Sequence, residues 1–174
     1  KYRADIYANN TQVTFIFFNV LFMVLITTLV VKYRSDYIYA VPLCILPLVL
    51  KAFFDSRLGL FTHVITVLIL GFVVPNSYEY MFLQIIAGIV TILTISESFK
   101  RANLFISVGQ ITCIYILAYI SFHIIHEGTI TKIDWVTVSL FVISGLATLI
   151  VHPLIYAYEK IFGLISDVSL LELS

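Results

Sequence analysis

Charged residues arrive along this chain in clusters, and long apolar runs lie between them. Six runs stand out, at 13–31, 37–54, 58–75, 80–96, 102–125 and 135–157. The first, VTFIFFNVLFMVLITTLVV, carries no charge, and the third, LGLFTHVITVLILGFVVP, contains only His63. At 1.5 Å per helical residue, runs of roughly 17 to 24 residues match a hydrocarbon core about 30 Å thick. A membrane β-barrel would need short strands alternating polar and apolar, and these runs do not alternate. The pattern predicts an all-α integral membrane protein, a bundle of six transmembrane helices at about 13–31, 37–54, 58–75, 80–96, 102–125 and 135–160.

Polar letters at the edges of the runs mark helix starts. Asn76 is followed three residues on by Glu79, and Thr131 by Asp134, each just before an apolar run. The second run holds Pro42 and Pro47 and so is expected to kink. Only Asp55-Ser56-Arg57 links it to the third. A tight hairpin is the expectation, with a re-entrant pair as the alternative.

Composition narrows the class. Hydrophobic residues make up 61% of the chain and charged ones 11%, against about 25% charged in a soluble domain. A soluble core of this length could not hide so much apolar surface. The formal net charge is +0, which leaves no basic field for nucleic acid. Residues 1–12, KYRADIYANNTQ, have neither the apolar stretch nor the small-residue site of a signal peptide, and the chain reads as an internal piece of a longer one. Cys44 and Cys113 both lie inside apolar runs and read as small buried hydrophobes.

Charge also predicts orientation. Six crossings put both termini on one side. The segments on that side hold Lys1, Arg3, Lys51, Arg57, Lys100, Arg101 and Lys160, and the opposite loops hold Lys32, Arg34 and Lys132. Seven basic residues against three place both termini in the cytoplasm.

Intramembrane chemistry is sparse. His63 and His152 each stand alone near a helix end, where a backbone carbonyl or interfacial water is the ordinary partner. His123 and His126 share a helix face in HIIHE, but the motif lacks the third ligand of a catalytic zinc. Neither ISVGQ nor VISGL supplies a serine-protease nucleophile turn. A transporter would show matching broken helices in two repeats, and no internal repeat is present. Gln84, Gln110 and Asn103 are the polar candidates for an interior site, with Gln84 and Gln110 expected to bridge helices by hydrogen bonds. Gly88, Gly109, Ser107, Ser144, Gly145 and Ala147 are expected to let helices approach closely. Asp55 and Arg57 read as a turn or an ion pair. No catalytic, cofactor-binding or metal residue is predicted in this chain.

Three stretches carry a resemblance. A proline-bearing helix runs into an Asp-x-Arg-Leu turn at Asp55, Arg57 and Leu58. An Asn-Ser-x-Glu helix start at Asn76, Ser77 and Glu79 precedes the small pair Ala87 and Gly88. The final helix closes through Pro153, Glu159, Phe162, Gly163, Ser166 and Asp167 and then Leu-Leu-Glu-Leu-Ser at 170–174. In these features the chain resembles the seven-transmembrane HD-hydrolase family of bacteria, over nearly its whole length.

The resemblance implies a membrane bundle between an extracellular domain and a cytoplasmic HD domain, with a metal pair in the HD domain that hydrolyses a cyclic dinucleotide, cyclic di-AMP in the characterised type. It places this chain in the bacterial inner membrane as a multi-pass module whose partners are the lipid bilayer, its own flanking domains and a second copy in a homodimer. Residues 161–174 become the cytoplasmic connector to the HD domain. Asp55, Arg57, Glu79, Gln84, Gln110, Glu159 and Asp167 are the structural or coupling candidates. Anchoring and signal coupling is the function implied, and a small-ligand, ion-binding or transporter-like bundle is the alternative.

Overall fold

The computed structural model describes residues 2–95 and 104–163, and their regular structure is helical throughout. The order is α1 (Tyr2–Arg34), a 3-10 helix (Ser35–Ala40), α2 (Ile45–Phe53), α3 (Ser56–Leu70), α4 (Ser77–Ile95), α5 (Leu104–Glu127), α6 (Trp135–Ala147), a 3-10 turn (Thr148–Ile150) and α7 (Val151–Phe162). Loop 97–101, Asn103 and most of the connector, including Asp167, lie outside the described residues.

Four helical stretches, Asn10–Ala40, Ser77–Thr94, Phe105–Glu127 and Trp135–Phe162, are long and apolar enough to cross a membrane. Helix α3 is shorter. The predicted second helix, 37–54, is corrected: it is not continuous. The 3-10 helix ends at Ala40, Val41 is extended (φ −70°, ψ 119°), and α2 begins only at Ile45. Pro42 is the cause, because a residue before proline is pushed out of the helical region. Pro47 does no damage. It sits in the first turn of α2, where an N–H would lack an intrahelical partner anyway.

The broken segment nevertheless travels the full depth of the bundle. Ser35 follows directly on the end of α1, and Phe53 packs at 4.9 Å against Phe15, far back along α1. Between Phe15 and Arg34, α1 rises about 28 Å at 1.5 Å per residue. The described residues therefore make six passes. Phe15 also meets Phe162 of the last pass at 5.1 Å, so the first and last passes end together. Arg57 and Lys160 lie at that end, and Arg34 and Lys132 at the other.

Helix α2 forms the centre. Ile45, Leu46, Pro47, Leu48, Val49, Leu50 and Ala52 are all buried, the pattern of a helix surrounded by others. Helix α3 lies close against it because of Gly59, whose missing Cβ would stand 2.9 Å from the Pro47 carbonyl oxygen. On α1, Phe15, Asn19, Met23 and Thr27 are buried at four-residue spacing, while Phe17, Leu21 and Leu25 face outward. The two polar members satisfy themselves on their own helix: Asn19 Nδ2 donates to the Phe15 carbonyl and Thr27 Oγ1 to the Met23 carbonyl, each at 2.8 Å. Outward apolar residues such as Phe72, 92% exposed, are the surface a lipid phase would cover.

Two expected helix starts resolve differently. Helix α4 begins at Ser77, next to Asn76 as predicted. Helix α6 is capped by Asp134 itself, not by Thr131: Asp134 Oδ1 accepts from the Val136 N–H at 3.0 Å and Oδ2 from the Thr137 hydroxyl at 3.2 Å. An aspartate in extended backbone just before the first helical residue satisfies the orphan N–H groups directly.

Candidate functional site

Halfway down the bundle, polar side chains from four passes meet. The break before α2 places Cys44 at this level, and Cys44, His63, Gln84, Thr91 and Tyr115 are all essentially inaccessible. Tyr115 donates its hydroxyl proton to Gln84 Oε1 at 2.6 Å. With that proton committed, the Cys44 thiol is the donor in its 3.2 Å contact with the Tyr115 oxygen. Thr91 Oγ1 donates to the Cys44 sulfur at 3.8 Å. The result is a directed chain, Thr91 to Cys44 to Tyr115 to Gln84, that ties the second pass to α4 and α5.

His63 closes the cluster from α3. Its Nε2 lies 2.7 Å from the Gln84 backbone carbonyl. A carbonyl only accepts, so Nε2 carries the proton and Nδ1 is bare. Helix α3 starts at Ser56, which puts His63 two turns inside the helix and not near its first turn. Gly88 makes the contact physically allowable, since a Cβ there would fall 2.2 Å from the imidazole. Two buried atoms of the cluster, His63 Nδ1 and Gln84 Nε2, have no hydrogen-bond partner among the described residues. Orphaned buried polar atoms are uncommon and mark a site where an unsatisfied interior is tolerated.

The end of the bundle away from Phe15 is a second site. A cavity of about 680 Å³ opens between the 3-10 helix, the start of α4, the later turns of α5 and the start of α6. Glu79 is half-buried on its wall, and Glu79 Oε1 accepts from the Tyr39 hydroxyl at 3.1 Å. Tyr119 lies opposite, its oxygen accepting from the Asp134 N–H at 3.2 Å. Phe141 packs against the Tyr39 and Tyr119 rings at 5.2 and 5.5 Å and so supports both.

The candidate residues thus separate. Gln84 is the centre of the buried cluster. Glu79 belongs to the cavity at the end away from Phe15, so its carboxylate reaches across the fold to Tyr39. Asp55 is the cap of α3, its Oδ1 accepting from the Leu58 N–H at 2.8 Å, and Arg57 is exposed in the first turn of that helix. Glu159 sits in the last turns of α7. Gln110 is corrected: it is exposed on the outer face of α5 and bridges no helix among the described residues. Cys113 is likewise exposed, and Gly109 has open space where a neighbouring helix was expected. Gly145 does make its close approach: a Cβ there would fall 2.2 Å from the Thr112 hydroxyl oxygen.

Sequence reasoning missed Asn19, Thr27, Cys44, Tyr80, Thr91 and Tyr115. The available signal was the single polar letter inside an apolar run, which in a membrane bundle marks the inward face. Among the described residues, no three His, Cys, Asp or Glu side chains come together to hold a metal ion. The metal pair implied by the resemblance does not fit them, and no chemistry here runs through it. His123 approaches Glu127 at 3.6 Å through Nδ1, and His126 stacks on Phe122.

Comparison with curated proteins and with solved structures finds no match. A family model described as a 7TM receptor with intracellular HD hydrolase matches residues 1–166. That covers all six passes and both polar sites, so this chain belongs to the family of seven-transmembrane receptors with an intracellular HD hydrolase.

Proposed function

We propose that this bundle anchors a membrane-bound HD phosphohydrolase and couples events in the bundle to hydrolysis of a cyclic dinucleotide of the cyclic di-AMP type. The protein would sit in the bacterial inner membrane with both ends of the six passes in the cytoplasm, the metal pair and catalysis belonging to the HD domain. The observation that carries coupling is the aromatic cluster at the shared end. Phe15 on α1 touches Phe53, Tyr158 and Phe162 at 4.9, 4.9 and 5.1 Å. A shift of α1 therefore presses directly on α7, the helix nearest the connector. Packed cores respond to such shifts in steps, since interdigitated rings cannot deform continuously.

The test is hydrolysis of cyclic di-AMP by the full-length protein in vesicles. Replacing the bundle by an unrelated anchor, or Phe15 by Ala, should change the rate without changing the isolated HD domain. An unchanged rate in both would reduce the bundle to a passive anchor. Labelling of Arg57 and Lys132 positions from one side of intact cells checks orientation separately.

For the homodimer we propose the outward face of α5 as the seam. Gln110 has no hydrogen-bond partner there among the described residues, and an amide within a membrane-spanning helix favours a hydrogen-bonding helix over lipid. Cys113, one turn along and exposed, should cross-link two copies under oxidation. A monomer only would remove the seam.

A further inference from the structure

The outer-end cavity has a composition that no anchoring role requires. Its wall carries three carboxylates, Asp36, Glu79 and Asp134, against one ammonium, Lys132. Their states differ. Asp134 spends both oxygens on the start of α6, and Asp36 is exposed. Glu79 is half-buried and accepts one hydrogen bond, on Oε1. Its Oε2 has no partner among the described residues, so a carboxylate is held in place with one acceptor oxygen unused. Tyr39 fixes Glu79 and is itself fixed, being buried and packed on Phe141 and Tyr80.

We propose that this cavity binds a small organic ammonium compound, with the Glu79 carboxylate as its counter-ion. The volume of about 680 Å³ falls in the range of small-molecule sites. A preordered carboxylate beside tyrosine rings suits an alkylammonium, which needs one counter-ion and apolar contact for its carbons. A metal ion would need several ligands converging on one point, and the described residues offer no such group. An anion would meet an excess of carboxylate. Lys132, exposed at the rim, weakens the field that draws a cation and sets an upper limit on affinity. In the orientation proposed above the cavity faces outward and the ligand comes from outside. Only that directionality rests on the functional reading. Binding itself can be measured in micelles, where sidedness is absent and hydrolysis plays no part.

Calorimetric titration of the full-length protein in maltoside micelles, with choline, putrescine and choline's uncharged isostere dimethylbutanol, tests the site. Saturable binding of choline or putrescine is expected, with none of the isostere. Glu79→Gln keeps the size of the side chain and can still accept from Tyr39, and should weaken that binding about tenfold or more, the loss of one desolvated ion pair. Lys132→Ala, at an exposed position that leaves the fold untouched, should tighten it. No binding of either ammonium overturns the proposal. So does binding that survives Glu79→Gln undiminished, that is matched by the isostere, or that Lys132→Ala leaves unchanged.

Discussion

The two ends of this bundle are built on opposite principles. At one end Phe15, Phe53, Phe54, Tyr158 and Phe162 close ring on ring. At the other, Tyr39, Glu79, Tyr119 and Asp134 hold a cavity open with hydrogen bonds. Dispersion and apolar burial fill space and resist displacement, whereas directional polar bonds can keep a space empty. The difference teaches how one bundle can be filled by apolar packing at one end and held open by polar bonds at the other. On the proposed coupling reading, a perturbation at the polar end would rearrange a few hydrogen bonds, and the aromatic end would pass on the movement that reaches it.

The largest expected effect breaks the closed end. Phe15→Ala removes a fully buried ring contacting four others and should cost about 3–5 kcal/mol of stability. Unfolding in detergent mixtures would show it, and a loss below about 1 kcal/mol would mean the cluster is not packed as described. Next comes Gly88→Ala, which drives a methyl into the His63 ring and should cost about 1–3 kcal/mol by overpacking. Shrinking the partner in the His63→Ala, Gly88→Ala double variant should recover part of it, and strict additivity would refute the contact. Tyr115→Phe breaks the directed chain at its middle and should cost about 1 kcal/mol, with little further loss when Gln84→Leu is added. At the open end Tyr39→Phe should cost less than about 1 kcal/mol, since it removes one part-buried hydrogen bond. If Tyr39→Phe proved as damaging as Phe15→Ala, the contrast between the ends would collapse. Smallest of all is Arg57→Ala, exposed and unpaired in role with Asp55, expected within about 0.5 kcal/mol of zero.

Much of the fold was legible because hydrocarbon thickness constrains length. The spans Ser77–Thr94, Phe105–Glu127 and Trp135–Phe162 follow the apolar runs closely, whereas the first extends past its run at both ends, and Gly163 ends α7 in the left-handed conformation (φ 67°). Which face of each helix turns inward was legible only in part, from single polar letters such as Asn19 and Thr27, and Gln110 shows that this signal can mislead. Helices α1 and α5 are apolar on every side, so periodicity carries no direction. Gln84 and Gln110 looked alike in sequence, and only packing separates the buried one from the exposed one. The cavity was half visible. Glu79 stood out as a helix-start acid, but its partner Tyr39 lies forty positions away and no local pattern links them. Cys44 was invisible as a polar group because its donor role depends on where Pro42 breaks the chain.

That break also has an electrical side. A half-length helix ends its backbone dipole where it ends its hydrogen bonds. Helix α2 starts midway down the bundle, so the equivalent of about half a positive charge sits at its N-terminus, in the driest part of the protein. The oxygens of Tyr115 and Gln84 cluster there, as acceptors should. A cation taken up at the outer end would meet this positive pole on any path along the axis. On the reading that the cavity there takes up a cation, the interruption in the second pass would act as an electrostatic barrier to the movement of that charge along the axis.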